Sequence, residues 1–234
     1  MAQKANSYAL RLGINQSWNS YYFSLGKKQA DLLKQDMLIR DFISSISRDV
    51  IQIRIERSSS GLFVFVSTTN VNYLVEKNNE RLEKIVKRVQ DIVDNKKINV
   101  KIHLIEIKKV FSNAQYVANL IASKIKARTP FRVALRTVIS KVTAQKEVKG
   151  IKVKISGRLD GSEIAKTEKV NSGKVPLSTL VSIIDFAKSE AKATYGKIGI
   201  SVWIYKGRQR GKKILTFRNE VGEYRNVNTE KNQI

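Results

Sequence analysis

The chain has 234 residues, of which 42% are hydrophobic, and its 44 Lys and Arg against 20 Asp and Glu give a net charge of +24. This length and hydrophobic content allow buried cores and exclude a disordered basic tail. The absence of cysteine excludes disulfides, thiolate metal sites and cysteine nucleophiles, and no apolar run reaches the roughly 18 residues that a membrane span needs.

The positive charge is concentrated in the second half of the chain. Residues 112–213 contain 22 basic and 6 acidic side chains, whereas residues 214–234 contain 3 of each. Such an excess repels itself until a polyanion neutralises it. Membrane surfaces and acidic proteins are alternatives, but the basic residues recur through predicted strands, helices and loops together, which favours nucleic acid.

Hydrophobic periodicity predicts a first α+β unit at residues 31–111. Residues 1–30, which are polar and aromatic, are predicted to be an N-terminal extension that orders on a partner. The elements predicted after it are a helix at 30–46, strands at 51–57 and 62–66, a helical region at 72–93 and a strand at 98–107.

A second α/β unit is predicted at residues 112–207, with a mostly antiparallel sheet packed on helices. Thr129 is the predicted N-cap of its second helix and Pro130 lies in the first turn, where its missing N–H costs nothing. The predicted elements are helices at 112–128, 130–143 and 178–192, two antiparallel strands within 149–169 and a strand at 198–207. Residues 208–234 are predicted to be a polar tail.

Catalysis and metal binding have little support in the sequence. His103 is the single histidine and lies in an alternating strand, where a structural role is expected. Asp185 stands among apolar residues and is interpreted as a buried partner for an arginine. We therefore expect no enzyme activity, no cofactor and no metal. A nuclease or lyase acting on nucleic acid is the runner-up, and it would need a positioned carboxylate or lysine nucleophile in a pocket.

Cations and glycines in the second unit are better candidates for a binding site. Lysines alternate with apolar residues in the strand that begins at Gly150, and Gly157 and Gly161 flank a turn that carries Arg158. Glycine lets a backbone approach phosphate closely, and arginine offers a planar fork of donors for phosphate oxygens. Arg132 and Arg136 lie one helical turn apart on a face different from the apolar one.

Several long stretches resemble the family of small ribosomal subunit protein three. They are GIKVKISGRLDGSEIAKTE, GKVPLSTL, ATYGKIGISVWIYKG, the opening AQKANSYALRLGINQSW and the basic segment PFRVALR. The resemblance spans about residues 1–207. It implies a type II KH domain (αββααβ) followed by a second α/β domain, in a structural protein on the head of the small subunit. Such a protein binds the small-subunit rRNA and, with neighbouring ribosomal proteins, lines the channel through which mRNA enters.

The pattern of cations and the resemblance together give the expected site residues, and the resemblance assigns the arginines of the PFRVALR segment to mRNA. The expected rRNA contacts are Lys4, Arg11, Lys149, Lys152, Lys154, Gly157, Arg158, Gly161, Lys166, Lys206 and Arg208. The expected mRNA contacts are Arg128, Arg132 and Arg136.

Three departures from the family pattern stand out. The GxxG loop that clamps nucleotides in KH domains aligns with Glu76, Lys77, Asn78 and Asn79, so the first unit is expected to be a packing module. That loss also argues against a free regulatory RNA-binding protein that uses the KH unit. Val133 replaces a third cation that faces mRNA, and Asp160 replaces a glycine in the turn, where its charge opposes that of Arg158.

The location of the ribosome is predicted from composition and from the start of the chain. The chain is rich in Ile, Lys and Asn and has two prolines, which is consistent with an AT-rich genome. Its start resembles organellar and alphaproteobacterial members of the family, and the family's opening begins at Ala2 with no presequence expected before it. These features predict a mitochondrial ribosome in the matrix. A plastid or a bacterial cytoplasm is the alternative.

Overall fold

The computed structural model describes residues 5–47, 49–58, 61–75, 80–93 and 98–208, which form two compact units. Among these residues, the N-terminal unit contains those from Trp18 to Lys108, and the C-terminal unit combines those up to Ser17 with those from Lys109 to Arg208. Each unit contains a four-stranded sheet with helices packed on it. The predicted α+β class is therefore confirmed.

The N-terminal unit begins with a short strand that was not predicted, within the segment predicted as an extension, and then follows the predicted order of one helix, two strands, a helical region and a strand. Its elements are β1 Ser20–Tyr21, α1 Lys27–Ile46, β2 Val50–Arg57, β3 Gly61–Thr68, α2 Val71–Val75, α3 Glu80–Val93 and β4 Asn99–Glu106. The strands lie in the order β1-β2-β3-β4, with β2 antiparallel to β3 and the outer strands parallel to their neighbours. The predicted degenerate loop, residues 76–79, lies outside the described residues.

Strict alternation builds the core of this unit. Ile53 and Ile55 of β2 and Val64 and Val66 of β3 all point to one face and are buried. Helices α1 and α3 add their own buried apolar side chains to that face. On the edge of the sheet, buried Asp36 of α1 accepts a hydrogen bond of 2.7 Å from the Ser20 hydroxyl and so holds β1 beside the helix.

The C-terminal unit packs two helices on one face of an antiparallel sheet. Its elements are α4 Ala114–Lys126, α5 Phe131–Thr143, β5 Gly150–Gly157, β6 Lys166–Gly173, β7 Ser182–Ala193 and β8 Gly196–Arg208. The strand order is β6-β5-β8-β7, and every neighbouring pair is antiparallel. Ile151, Val153 and Ile155 of β5 are fully buried against the helices.

The prediction of a helix at 178–192 is wrong, because this stretch contains strand β7. The pairing register shifts between Ile183 and Ile184 because β8 carries a β-bulge there, with Lys206 as its extra residue. Consecutive strand residues point to opposite faces, so Ile183 and Ile184 place apolar side chains on both faces of the sheet. Below the bulge the helix-facing side chains are small, with Ala187 and Ala191 buried. Alanine, serine, lysine and glutamate at the other positions are compatible with a helix, so the local sequence hid the strand.

The start of helix α5 also differs from the prediction. Thr129 is not the N-cap; Pro130 occupies that position with an extended backbone, and the helix begins at Phe131. The acceptor for the first amide comes from elsewhere in the unit, since Asp160 Oδ1 lies 3.4 Å from the Phe131 nitrogen. A carboxylate at a helix N-terminus satisfies unpaired N–H groups and interacts favourably with the helix dipole.

Candidate nucleic-acid interface

The sheet face opposite α4 and α5 includes three neighbouring rows of directly paired residues, which are here called the open face. In strand order β6, β5, β8, β7 they are Asn171–Lys152–Trp203–Phe186, then Lys169–Lys154–Ser201–Lys188, then Thr167–Ser156–Gly199–Glu190. The middle row therefore places three lysines and one serine in a line across the sheet. Neighbouring strands lie about 4.8 Å apart, so this row is a dense line of positive charge.

Acidic charge is nearly absent from the open face. Glu190 is its single carboxylate, and it pairs at 3.2 Å with Lys197 of the adjoining strand. Lys169 and Lys188 are exposed, while Lys152 and Lys154 are partly buried. A polyanion that approached this face would meet cations with almost no repulsion.

Lys188 and the two aromatic residues of the first row were not predicted as site residues. Assignment of β7 as a helix concealed the alternation of Phe186, Lys188 and Glu190, which is the signal that could have revealed them. Trp203 lay in a correctly predicted strand, but its neighbour Phe186 could be found only through the pairing of β7 with β8.

The turn that follows β5 has a packed structure of its own. Arg158 Nε donates to the Ser162 carbonyl at 2.9 Å, and its guanidinium lies 5.4 Å from the centre of the Tyr195 ring. Gly161 has φ +81°, and a Cβ atom there would lie 3.2 Å from the same ring. Both residues thus hold the turn against the β7–β8 hairpin, and their predicted contact with phosphate stays a prediction.

Helix α5 exposes the arginines that were predicted to meet mRNA. Arg132 and Arg136 are both exposed, whereas Leu135 and Val138 on the opposite side are buried. Arg128, just before the helix, is also exposed and adopts a left-handed backbone with φ 61°. Val133 lies beside the arginines with 55% of its surface exposed.

The remaining predicted cations divide into exposed and paired groups. Lys149, Lys166 and Arg208 are exposed. Lys206 is instead held at 3.6 Å from Asp185 Oδ2. Lys4 lies outside the described residues.

Arg11 is corrected from an rRNA contact to a structural residue, because its side chain is fully buried. Its guanidinium donates to the carbonyls of Ser7, Leu177, Thr179 and Ser182 at 2.8 to 3.0 Å. Burial lowers the pKa of this guanidinium from its ordinary value. Residues 5–17, which are part of the segment 1–30 predicted as a partner-dependent extension, are therefore attached to the C-terminal unit through hydrogen bonds within the chain.

Asn15 and Gln16 extend this attachment along β7. The Asn15 amide donates to the carbonyls of Leu180 and Ser182, and the Gln16 amide donates to the Ile184 carbonyl at 2.7 Å. These bonds occupy backbone acceptors at the start of the outermost strand. Residues 5–17 thus protect part of a sheet edge that would otherwise be free to pair.

His103 lies on the outer side of the N-terminal sheet, near the rings of Phe63 and Phe65. The His103 and Phe65 ring centres are 5.0 Å apart. Burial, followed by the positive charge of Lys101, lowers the pKa of His103, and Glu56 opposes that shift. Across the described residues, no group of three or more His, Cys, Asp or Glu side chains could hold a metal ion.

Within the part of the chain that the structure describes, no helix is both long and apolar enough to cross a bilayer.

Comparison with known proteins places these observations in a family context. Residues 121–204 match the family described as ribosomal protein S3, C-terminal domain. The small ribosomal subunit protein uS3 of Clostridium botulinum (strain Okra / Type B1) is 36% identical over 230 residues, which cover 97% of this chain and all of that protein. Proteins of the same name from Exiguobacterium sp. (35% identical, 94% of this chain, 99% of that protein) and Spiroplasma citri (36%, 94% and 88%) are also similar.

Proposed function

We propose that this chain, which belongs to the small ribosomal subunit protein uS3 family, binds rRNA through its open face and guides mRNA along helix α5. Members of this family are structural components of the small ribosomal subunit and not enzymes. Small-subunit rRNA and other ribosomal proteins are accordingly the partners of the chain.

The row Lys169–Lys154–Ser201–Lys188 is the observation that carries rRNA binding. Its lysines face away from the helices, and the one acid of the open face is already paired with Lys197. Contacts of this kind recognise the phosphate backbone and position a protein on RNA without reading its sequence. Each phosphate neutralised releases counterions, so binding should weaken steeply with salt.

Exposure and spacing on helix α5 support the mRNA contact. Arg132 and Arg136 lie one turn apart with their side chains in solvent, on a helix whose other side is anchored in the core. A rigid helix of this kind holds two cations at a fixed separation, which suits a single strand that slides past. Arg128 precedes the same helix and adds a third exposed cation.

The N-terminal unit is proposed to be a type II KH domain that serves as a packing module. Support comes from its order of helix, two strands, two helices and strand, and from the parallel pairing of β3 with β4. The sequence Glu76-Lys77-Asn78-Asn79 between its two adjacent helices contains no glycine. Backbone amides in a loop without glycine approach phosphate less closely.

The proposed assembly is a small subunit of the bacterial type. The relatives named above come from Clostridium botulinum, Exiguobacterium and Spiroplasma citri. They support the bacterial cytoplasm over the mitochondrial matrix that composition and the start of the chain predicted. Fractionation of the source cells, followed by detection of the chain in the small-subunit peak of each fraction, tests this choice.

A double substitution separates the two RNA contacts. Arg132→Ala with Arg136→Ala should leave incorporation into small subunits intact, because the open face is unchanged. The same variant should slow translation of messages that carry a stable hairpin, with less effect on unstructured messages.

A charge-matched control is available in the other unit. Lys84→Ala with Lys87→Ala removes two exposed cations from helix α3 and should translate both messages normally. Normal translation of hairpin messages by ribosomes that contain the arginine variant would contradict the mRNA contact. Loss of that variant from small subunits would show that the arginines hold rRNA instead.

A further inference from the structure

Two aromatic rings interrupt the cationic surface of the C-terminal sheet. Trp203 of β8 and Phe186 of β7 are direct cross-strand partners on the open face, and both are partly exposed. Their ring centres are 5.2 Å apart and their planes differ by 29°, which is a stacked arrangement. The helices pack on the other face of the sheet, so these rings are not part of the core described above.

Lysines flank the aromatic pair. Lys152 Nζ lies 5.7 Å from the centre of the Trp203 ring, and Lys188 Nζ lies 5.8 Å from the centre of the Phe186 ring. The row of three lysines follows two residues further along each strand, at a distance of about 7 Å. An aromatic surface and a line of cations thus lie within the reach of one short stretch of nucleic acid.

The chemistry of this surface selects among polyanions. A lipid headgroup or an acidic peptide would use the lysines but would gain little from stacked rings. Nucleobases stack on aromatic side chains, and such stacking contributes about 1–3 kcal/mol per base. In duplex RNA the bases are stacked on one another and the protein meets phosphates and 2′-hydroxyls.

We infer that the open face binds an unpaired RNA segment, with a base stacked on the Trp203–Phe186 pair and its phosphates on the lysine row. The inference rests on the proposed function, since it names the form of RNA that the open face takes. Single-stranded RNA should therefore bind more tightly than a duplex of equal charge. The aromatic pair supplies this preference, while the lysines contribute to the binding of both forms.

Tryptophan fluorescence of the full chain provides a direct test. The sequence contains two tryptophans, and Trp18→Phe leaves Trp203 as the single reporter. Titration with an unstructured oligoribonucleotide should quench Trp203 emission, whereas titration with a blunt RNA duplex should change it little. Binding of both RNAs is measured in parallel by anisotropy of a label on the RNA.

Variants at Phe186 separate stacking from charge. Phe186→Leu should weaken single-strand binding about tenfold, a change that corresponds to the lower half of the stacking range, and should leave duplex binding unchanged. Phe186→Tyr retains an aromatic ring and should restore single-strand affinity. The Tyr variant also controls for folding, because both substitutions are made at the same half-buried position.

The possible outcomes distinguish failure of the inference from failure of the proposed function. Lys154→Gln with Lys169→Gln should weaken the binding of both RNAs and reduce the salt dependence of that binding. The stacking inference is wrong if Phe186→Leu changes the binding of neither RNA and Trp203 emission stays constant. The rRNA role remains in that case if the lysine variant still weakens the binding of both RNAs. If the unaltered chain binds neither RNA in a salt-dependent manner, the proposed function itself fails.

Discussion

Asp185 Oδ2 accepts a hydrogen bond of 2.9 Å from the backbone nitrogen of Ala114, which joins strand β7 to the first turn of helix α4. Asn113 caps the same helix through its own side chain, by accepting a bond from the Gln115 nitrogen. Asp185 therefore serves as a second acceptor for the unpaired amides at this helix end. Its neighbours in the sequence suggested an arginine as partner, but the ionic partner is Lys206.

Replacement of Asp185 should destabilise the C-terminal unit. We expect Asp185→Ala to lower its free energy of unfolding by about 1 kcal/mol, the usual cost of losing a helix cap. Asp185→Asn keeps an acceptor oxygen and should lower the free energy of unfolding by less. Urea unfolding followed by Trp203 fluorescence in the Trp18→Phe background measures both variants in this unit, and equal stability of the Ala variant and the parent would refute the capping role.

Asp160 combines a strained backbone with a favourable position near helix α5. Its φ of 51° lies in the left-handed region, where glycine is preferred, while its carboxylate approaches the Phe131 nitrogen. Asp160→Ala keeps the strain and removes the acceptor, so we expect a loss of about 1 kcal/mol. Asp160→Gly relieves the strain as it removes the acceptor and should be close to neutral. The same urea experiment compares them, and a Gly variant less stable than the Ala variant would contradict this balance.

Arg11 should be far more important for stability than for RNA binding. Arg11→Leu fills a similar volume but leaves four carbonyls without their donor, so we expect a loss of about 3 kcal/mol in unfolding free energy. Early proteolytic release of the N-terminal segment should accompany that loss. Arg132→Leu is the control, because a substitution at an exposed arginine usually changes stability by less than about 0.5 kcal/mol. Similar effects of the two substitutions would disprove the structural role of Arg11.

His103 should make the N-terminal unit sensitive to pH. Because the fold lowers the pKa of this side chain, the unfolded chain binds the proton more readily than the folded chain does. Its contribution to stability is thus complete above the ordinary pKa of about 6.5 and declines as the pH falls through that value.

The measurement for His103 uses the other tryptophan. In a Trp203→Phe background, Trp18 reports on urea unfolding, and the midpoint should fall between about pH 8 and about pH 6. His103→Gln removes the single histidine and should reduce the fall of the urea midpoint with pH. Because the carboxylates are the same in both proteins, the difference between them reports on His103. An identical pH dependence in the variant would show that His103 does not contribute.

Most of the architecture could be predicted because periodicity is a local property. Alternation in β5 and β8 and the 3.6-residue repeat in α4 and α5 follow from which side chains must leave water. Strand β7 could not be predicted in this way, since Ile183, Ile184 and Phe186 place apolar side chains on both of its faces and the residues after them are compatible with a helix. The identity of that strand depends on pairing with β8, which is a contact between segments and not a feature of either.

The candidate site likewise combines features that the sequence predicts with features that depend on the tertiary structure. By itself, the sequence determined that cations concentrate in the second half, that lysines occupy one face of β5 and that Arg132 and Arg136 share one side of a helix. Only the tertiary structure decided that Arg11 is buried, because its carbonyl partners at Leu177, Thr179 and Ser182 lie more than 160 positions away. It also decided that Phe186 meets Trp203. Spacing along a chain determines which side chains share a face, but burial and stacking depend on which distant segments the fold brings together.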